Sequence, residues 1–194
     1  MEQEAVKVAV LLARQPDQLG EWLADATAFE AAGADALWVD PDPGSGLDPL
    51  ALLAALAALT HRALLVAAVP ATGHPPGALA RTLATVGRLA RRRVALVADA
   101  ERLGELAGLA PGFGMFRRLA SDPAAFERPR EGDVTERWVQ VPPPEGRAAW
   151  RAALADAAAT GTHGVLVQAG PRLLDILRNP DDPTGRQDLQ LAQG

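Results

Sequence analysis

Four early runs of the chain are apolar without alternation: VKVAVLLA (6–13), ADALWVD (34–40), ALLVAAVP (63–70) and VALVADA (94–100). A strand with one face in water alternates apolar and polar residues. A continuous apolar run points instead to a strand covered on both faces, as in a parallel sheet. The runs start about thirty residues apart, the size of a βα repeat. Two later runs, RWVQVP (137–142) and HGVLVQA (163–169), read as further strands. Right-handed crossovers then put the helices outside the sheet.

The stretches between these runs carry helical periodicity. Over 18–32, Leu19, Trp22, Leu23, Ala26 and Phe29 share a face, and Gly33 stands as the stop. Over 76–90 the stripe is Leu79, Leu83, Val86 and Ala90; over 145–160 it is Trp150, Leu154 and Ala157, with Gly161 following. The helix expected over 49–60 differs. Asp48 suits its N-cap and Pro49 its first turn, but LALLAALAAL contains no polar residue. Its leucines, Leu52, Leu53, Leu56 and Leu59, are expected on the sheet. Its alanine side is expected against another helix, and the reading prefers a second copy of the chain to a neighbour within it. A homodimer through 49–60 and 76–90 follows.

The rhythm breaks over 109–136, a stretch rich in Pro, Gly and charge. GMFRRLA reads there as a short strand and the rest as an irregular insertion. Residues 1–180 are thus expected to form one domain, with 181–194 as a flexible tail.

The totals narrow the function classes. A length of 194 residues suits a single buried core, and a net charge of -5 argues against a nucleic-acid partner. Arg91, Arg92 and Arg93 read as a solvated helix end. The chain has no cysteine, so disulfides and thiolate metal sites are excluded. The N-terminus lacks the pattern of a signal peptide, and Pro43, Asp48 and Pro49 interrupt the one long low-charge run. No membrane association and a cytoplasmic location are expected. The three histidines are far apart in sequence, and no metal-ligand spacing, P-loop, Rossmann fingerprint or nucleophile elbow is present.

FEAAGADALWVD (29–40), LDPLALLAALAALTHRALLVAAV (47–69) and HPPGALARTLATVGRLARRRVALV (74–97) together resemble the luciferase-like flavin- or F420-dependent monooxygenase family. Glu30, Gly33, Trp38, Asp48, Pro49, His74, Pro75 and Arg93 fall in the family's order and spacing. HGVLVQAGPRLLDIL (163–177) is similar to its last βα pair. The likeness covers about two thirds of the chain. It implies a parallel (β/α) TIM-barrel-like fold, shortened relative to eight repeats, since a full barrel takes about 250 residues. It also implies FMN or F420 as cofactor, a small organic substrate, and a flavin reductase as supplier of reduced cofactor. The alternative is a non-catalytic flavin-binding or scaffold protein on the same fold. VADAERLG departs from the family's glycine-rich turn after strand four; Asp99 and Glu101 put negative charge where a flavin phosphate would come.

The candidate site residues lie where strands two and three end. His74 sits between Gly73 and Pro75 at the expected barrel mouth. There it suits a hydrogen bond to a flavin ring or proton transfer near neutral pH, and equally a solvated loop position. Asp40 and Thr72 are expected ligand contacts; local turn chemistry explains Asp40 equally well. His61 and His163 fall at the opposite rim.

Overall fold

Eight strands close into a ring in chain order, β1 to β8, with β8 pairing back onto β1. The computed structural model describes residues 5–12, 18–39, 47–69, 75–130 and 134–180. The strands are β1 (Lys7–Leu12), β2 (Ala36–Val39), β3 (Leu64–Ala68), β4 (Val94–Ala98), β5 (Gly114–Leu119), β6 (Asp122–Pro129), β7 (Thr135–Val141) and β8 (Gly164–Gln168). Four helices, α1 (Leu19–Ala31), α2 (Pro49–Leu59), α3 (Pro76–Leu89) and α4 (Ala100–Leu109), follow the first four strands; α5 (Arg147–Ala159) and α6 (Pro171–Arg178) follow β7 and β8. The fold is an α/β barrel of the TIM type with fewer helical units than strands.

Strand six runs the other way. It pairs antiparallel with β5 and with β7, whereas every other neighbouring pair is parallel. The short strand read in GMFRRLA is β5, while the rest of 109–136, expected as an irregular insertion, is corrected by β6. A parallel crossover needs room for a helix, but a reversal needs only a short turn. Ala120 and Ser121 make that turn, and Asp122 Oδ1 accepts the Ala124 N–H at 3.1 Å. The ring therefore reaches eight strands without the two βα units that its length cannot supply.

Alternate residues of every strand point inward, in register. Leu11 lies beside Trp38, Trp38 beside Val66, Arg118 beside Phe126, and Phe126 beside Trp138. Large rings reach into the lumen from β2, β5, β6 and β7, and small residues make room for them. Phe126, Trp38, Phe116 and Trp138 form a chain of ring contacts, with successive centroids 4.9, 4.8 and 5.6 Å apart. Ala9, Ala36 and Ala95 are fully buried in the same cluster. Gly164 is one such concession: a Cβ there would run into the Trp138 ring.

The second core lies between the ring and its helices. Trp22, Ala26 and Phe29 of α1, Leu79, Leu83 and Val86 of α3, and Trp150 and Ala157 of α5 are buried as the stripes require. Leu19, placed in the α1 stripe by periodicity, is 45% exposed because it opens the helix. Asp48 caps α2 by accepting the N–H groups of Leu50 and Ala51. Leu52, Leu53 and Leu56 are buried, but Leu59 is 45% exposed. The chain turns inward at Thr60, which takes the buried place and donates its hydroxyl to Leu56 O at 2.8 Å. Neighbours α1 and α3 flank α2 within the chain, leaving Ala51, Ala58 and Leu59 outward. No helix among the described residues is long and apolar enough to cross a membrane.

Candidate functional site

The mouth of the barrel is the end where seven strands finish and β6 begins. A hollow of about 160 Å³ opens there, over a floor made by Leu11, Trp38, Val97, Phe126 and Leu166. Arg118 and Gln140 are the charged and amide groups of its described lining, and both are exposed. The Arg118 guanidinium lies 5.6 Å from the centre of the Phe126 ring. A hollow with an apolar floor and polar groups at its edge has the form of a small-molecule site.

Trp38 carries an unusual feature of this floor. Its residue is 4% exposed, and its indole Nε1 is buried with no hydrogen-bond partner. A buried donor without an acceptor costs about 1–3 kcal/mol. The other lumen indole is satisfied: Trp138 Nε1 donates to Glu136 Oε2 at 3.3 Å. A ligand acceptor reaching Trp38 would relieve the deficit.

Beside the floor, β4 passes directly into α4, with Asp99 at the N-cap and Glu101 in the first turn, both exposed. Arg102 of that turn donates to Val69 O at the end of β3, at 3.1 Å. The acids thus occupy the helix N-terminus, where an anion would otherwise be favoured. Asp40, Thr72 and His74 lie outside the described residues. What is described around them is that β2 ends at Val39 and β3 at Ala68, both at this mouth.

The opposite end of the ring holds the charge. Glu30, 8% exposed at the end of α1, accepts the N–H groups of His61, Arg62 and Ala63 at 2.8 to 3.0 Å. Arg93 donates Nη1 to Ala63 O at 2.6 Å and Nη2 to Thr60 O at 2.8 Å. Burial opposes the Glu30 charge, but the three backbone N–H groups and nearby Arg93 outweigh it and hold the carboxyl below the usual range. Two residues of the sequence pattern thereby clasp the entry to β3. Arg93, expected among solvated helix-end arginines, is instead half-buried; Arg91 and Arg92 do form an exposed turn.

Glu136, 4% exposed inside the barrel base, went unremarked in the sequence because it lies at the edge of the apparently irregular segment. Lys7 Nζ donates to it at 2.9 Å, while Arg128 and Arg130 stand 3.6 and 3.7 Å away. Burial again opposes its charge, and the bonds from Lys7 and Trp138 with the charges of Lys7 and Arg128 hold its carboxyl low. The remaining histidines belong to this end: His61 is held through its backbone, and His163 Nδ1 accepts the Arg137 N–H at 3.2 Å. Among the described residues, no group of acidic or histidine side chains could hold a metal ion.

No protein-family model matches the sequence, and no curated protein does. Solved structures do match. Tryptophan synthase from M. tuberculosis, in an open form with BRD0059 bound, is 17% identical over 92% of both chains, with a TM-score of 0.50. The same enzyme in another crystal form is 15% identical over 91% of both chains, at 0.46. At such identity the likeness shows the barrel fold alone.

Proposed function

We propose that this chain binds a flavin or deazaflavin ring at the barrel mouth, as a shortened member of the luciferase-like oxidoreductases. One observation carries the reading: the hollow has an aromatic and aliphatic floor that includes Trp38, whose buried indole N–H has nothing to accept its hydrogen bond. A flat conjugated ring edged with carbonyl and nitrogen acceptors suits both halves of that description. Small-molecule clefts usually span roughly 300–1,000 Å³. The described hollow, at about 160 Å³, therefore takes the edge of a tricyclic ring rather than its whole body.

The cofactor would supply the redox chemistry. Trp38 would orient the ring edge, Phe126 and Leu166 would exclude water beneath it, and Arg118 and Gln140 would face its polar periphery. A phosphate tail would avoid the acids at the start of α4. His74 is the proposed proton carrier, with Asp40 and Thr72 as rim contacts. The same reading includes reduced cofactor delivered by a flavin reductase, a homodimer through α2 and α3, and a cytoplasmic location.

A second reading, binding without turnover, is favoured by a specific observation. The polar side chains of the described lining are a guanidinium, Arg118, and an amide, Gln140, groups that suit holding a ligand, and no carboxylate, imidazole or hydroxyl stands among them. Titration with riboflavin, FMN, reduced FMN and F420 tests both, following tryptophan fluorescence and flavin absorbance. Micromolar binding with substrate-dependent oxygen or F420 consumption supports the enzyme; binding alone supports the carrier. Equal affinity for riboflavin and FMN would place the phosphate outside the site. No binding of any of the four refutes both.

A further inference from the structure

We infer that the barrel base, opposite the mouth, is a binding site for a small multivalent oxyanion of the phosphate class. A cleft of about 290 Å³ opens there, and Lys7, Arg62, Arg93, Arg128 and Arg130 all line it. The chain as a whole carries a net charge of -5, so this gathering of cations runs against its overall balance.

The local anions do not use it up. Asp35 lines the cleft, and its Oδ2 accepts the Val8 N–H at 2.7 Å. Among the described residues, Glu136 is shared by Lys7, Arg128 and Arg130. Lys7 takes it at hydrogen-bond distance, and Trp138 takes its other oxygen. The arginines stay at 3.6 and 3.7 Å, beyond the roughly 2.7–2.9 Å of a charge-assisted bond. On the other side, Glu30 spends its oxygens on backbone N–H groups. Arg62 and Arg93 therefore donate to backbone carbonyls, which carry no net charge. Arg93 Nε is buried with no partner at all.

The cradle is built in advance. Arg128 lies over the Phe116 ring at 5.5 Å, and its guanidinium fills the space above Gly114, where a Cβ would stand 2.9 Å from Nη2. A guanidinium packed in this way loses little further freedom when an oxyanion meets it. The base of such a barrel ordinarily serves stability. A purely structural network, however, would match its charges; among the described residues, the five lining cations meet three carboxylates, Glu30, Asp35 and Glu136. A nucleic acid is a poor occupant, because so acidic a chain offers no extended basic track.

The intact protein should be titrated with inorganic phosphate and pyrophosphate at constant ionic strength set by sodium chloride. Tm and tryptophan fluorescence are read together, since Trp138 lines the cleft. A saturable rise is expected, of roughly 5–10 °C at a hundredfold excess over Kd. Arg62→Gln and Arg130→Gln change exposed side chains; each should weaken binding tenfold or more, and the pair should abolish the response. Flavin titration of the same variants reports the mouth independently, so the two sites can fail separately. No saturable response beyond that of chloride, or an undiminished one in the double variant, overturns the assignment.

Discussion

Replacing Glu30 with alanine removes the acceptor for three backbone N–H groups at the entry to β3. Their surroundings set the size of the loss. His61 and Arg62 are exposed and can turn their N–H groups to water, but Ala63 is 1% exposed and cannot. One orphaned buried donor costs about 1–3 kcal/mol, and each lost bond to a charged acceptor is worth about 1.5–3 kcal/mol before water replaces it. Half-buried Arg93 also loses its nearby carboxylate. A total of about 3–4 kcal/mol follows, within the range for breaking a buried pair. For a domain of this size that is roughly 6–16 °C in Tm. Glu30→Gln keeps one carbonyl oxygen and should lose about half as much. Calorimetry and urea unfolding followed by tryptophan fluorescence measure both.

The pH dependence is the sharper check. The folded carboxyl is held below its unfolded value of about 4.3. Its contribution is therefore complete above that value and is lost as pH falls through the folded pKa. The Tm gap between wild type and Glu30→Gln should be constant from neutral pH down to about 5 and close at lower pH. A Glu30→Ala loss below about 1 kcal/mol, or a gap that does not change on acidification, would refute the clasp.

Other expectations test the remaining parts. Gly164→Ala forces a methyl group into the Trp138 ring; it should cost about 1–3 kcal/mol in urea unfolding and alter tryptophan emission. Trp38→Phe removes the unpaired indole donor but keeps an aromatic floor, so flavin affinity should fall about tenfold with little change in Tm. Ala55→Glu with Ala58→Glu places one charge at half-buried Ala55 and one at outward Ala58 of α2. The product should be monomeric or insoluble by light scattering, and an unchanged dimer mass excludes that face.

The parallel half of the ring was legible because both faces of β1 to β4 are buried, which leaves uninterrupted apolar runs. The stripes of α1, α3 and α5 were equally plain. Strand six was hidden by its chemistry. Pro123 and Pro129 bracket it and argue against a strand, yet both sit at its ends, where the ladder stops. Its inward face mixes Phe126 with Arg128, because the base of this lumen is charged, and alternation of apolar and polar residues no longer marks the core. Glu30 and Arg93 were visible as spaced pattern residues, but their role depends on distances between segments thirty and more residues apart. Trp38 was visible as a strand aromatic. That its N–H lacks an acceptor is a property of the packed lumen, which no local window contains.

The reversed strand also shapes how the ring can assemble. Pairing β5 with β6 and β6 with β7 closes only short loops, whereas sealing β1 against β8 joins Lys7 to Gly164. Loop-closure entropy therefore favours an early three-stranded wall and a late seam. A nascent chain that has not yet released β8 exposes two raw strand edges, on β1 and β7, and its hazard in that interval is edge-to-edge association with another copy.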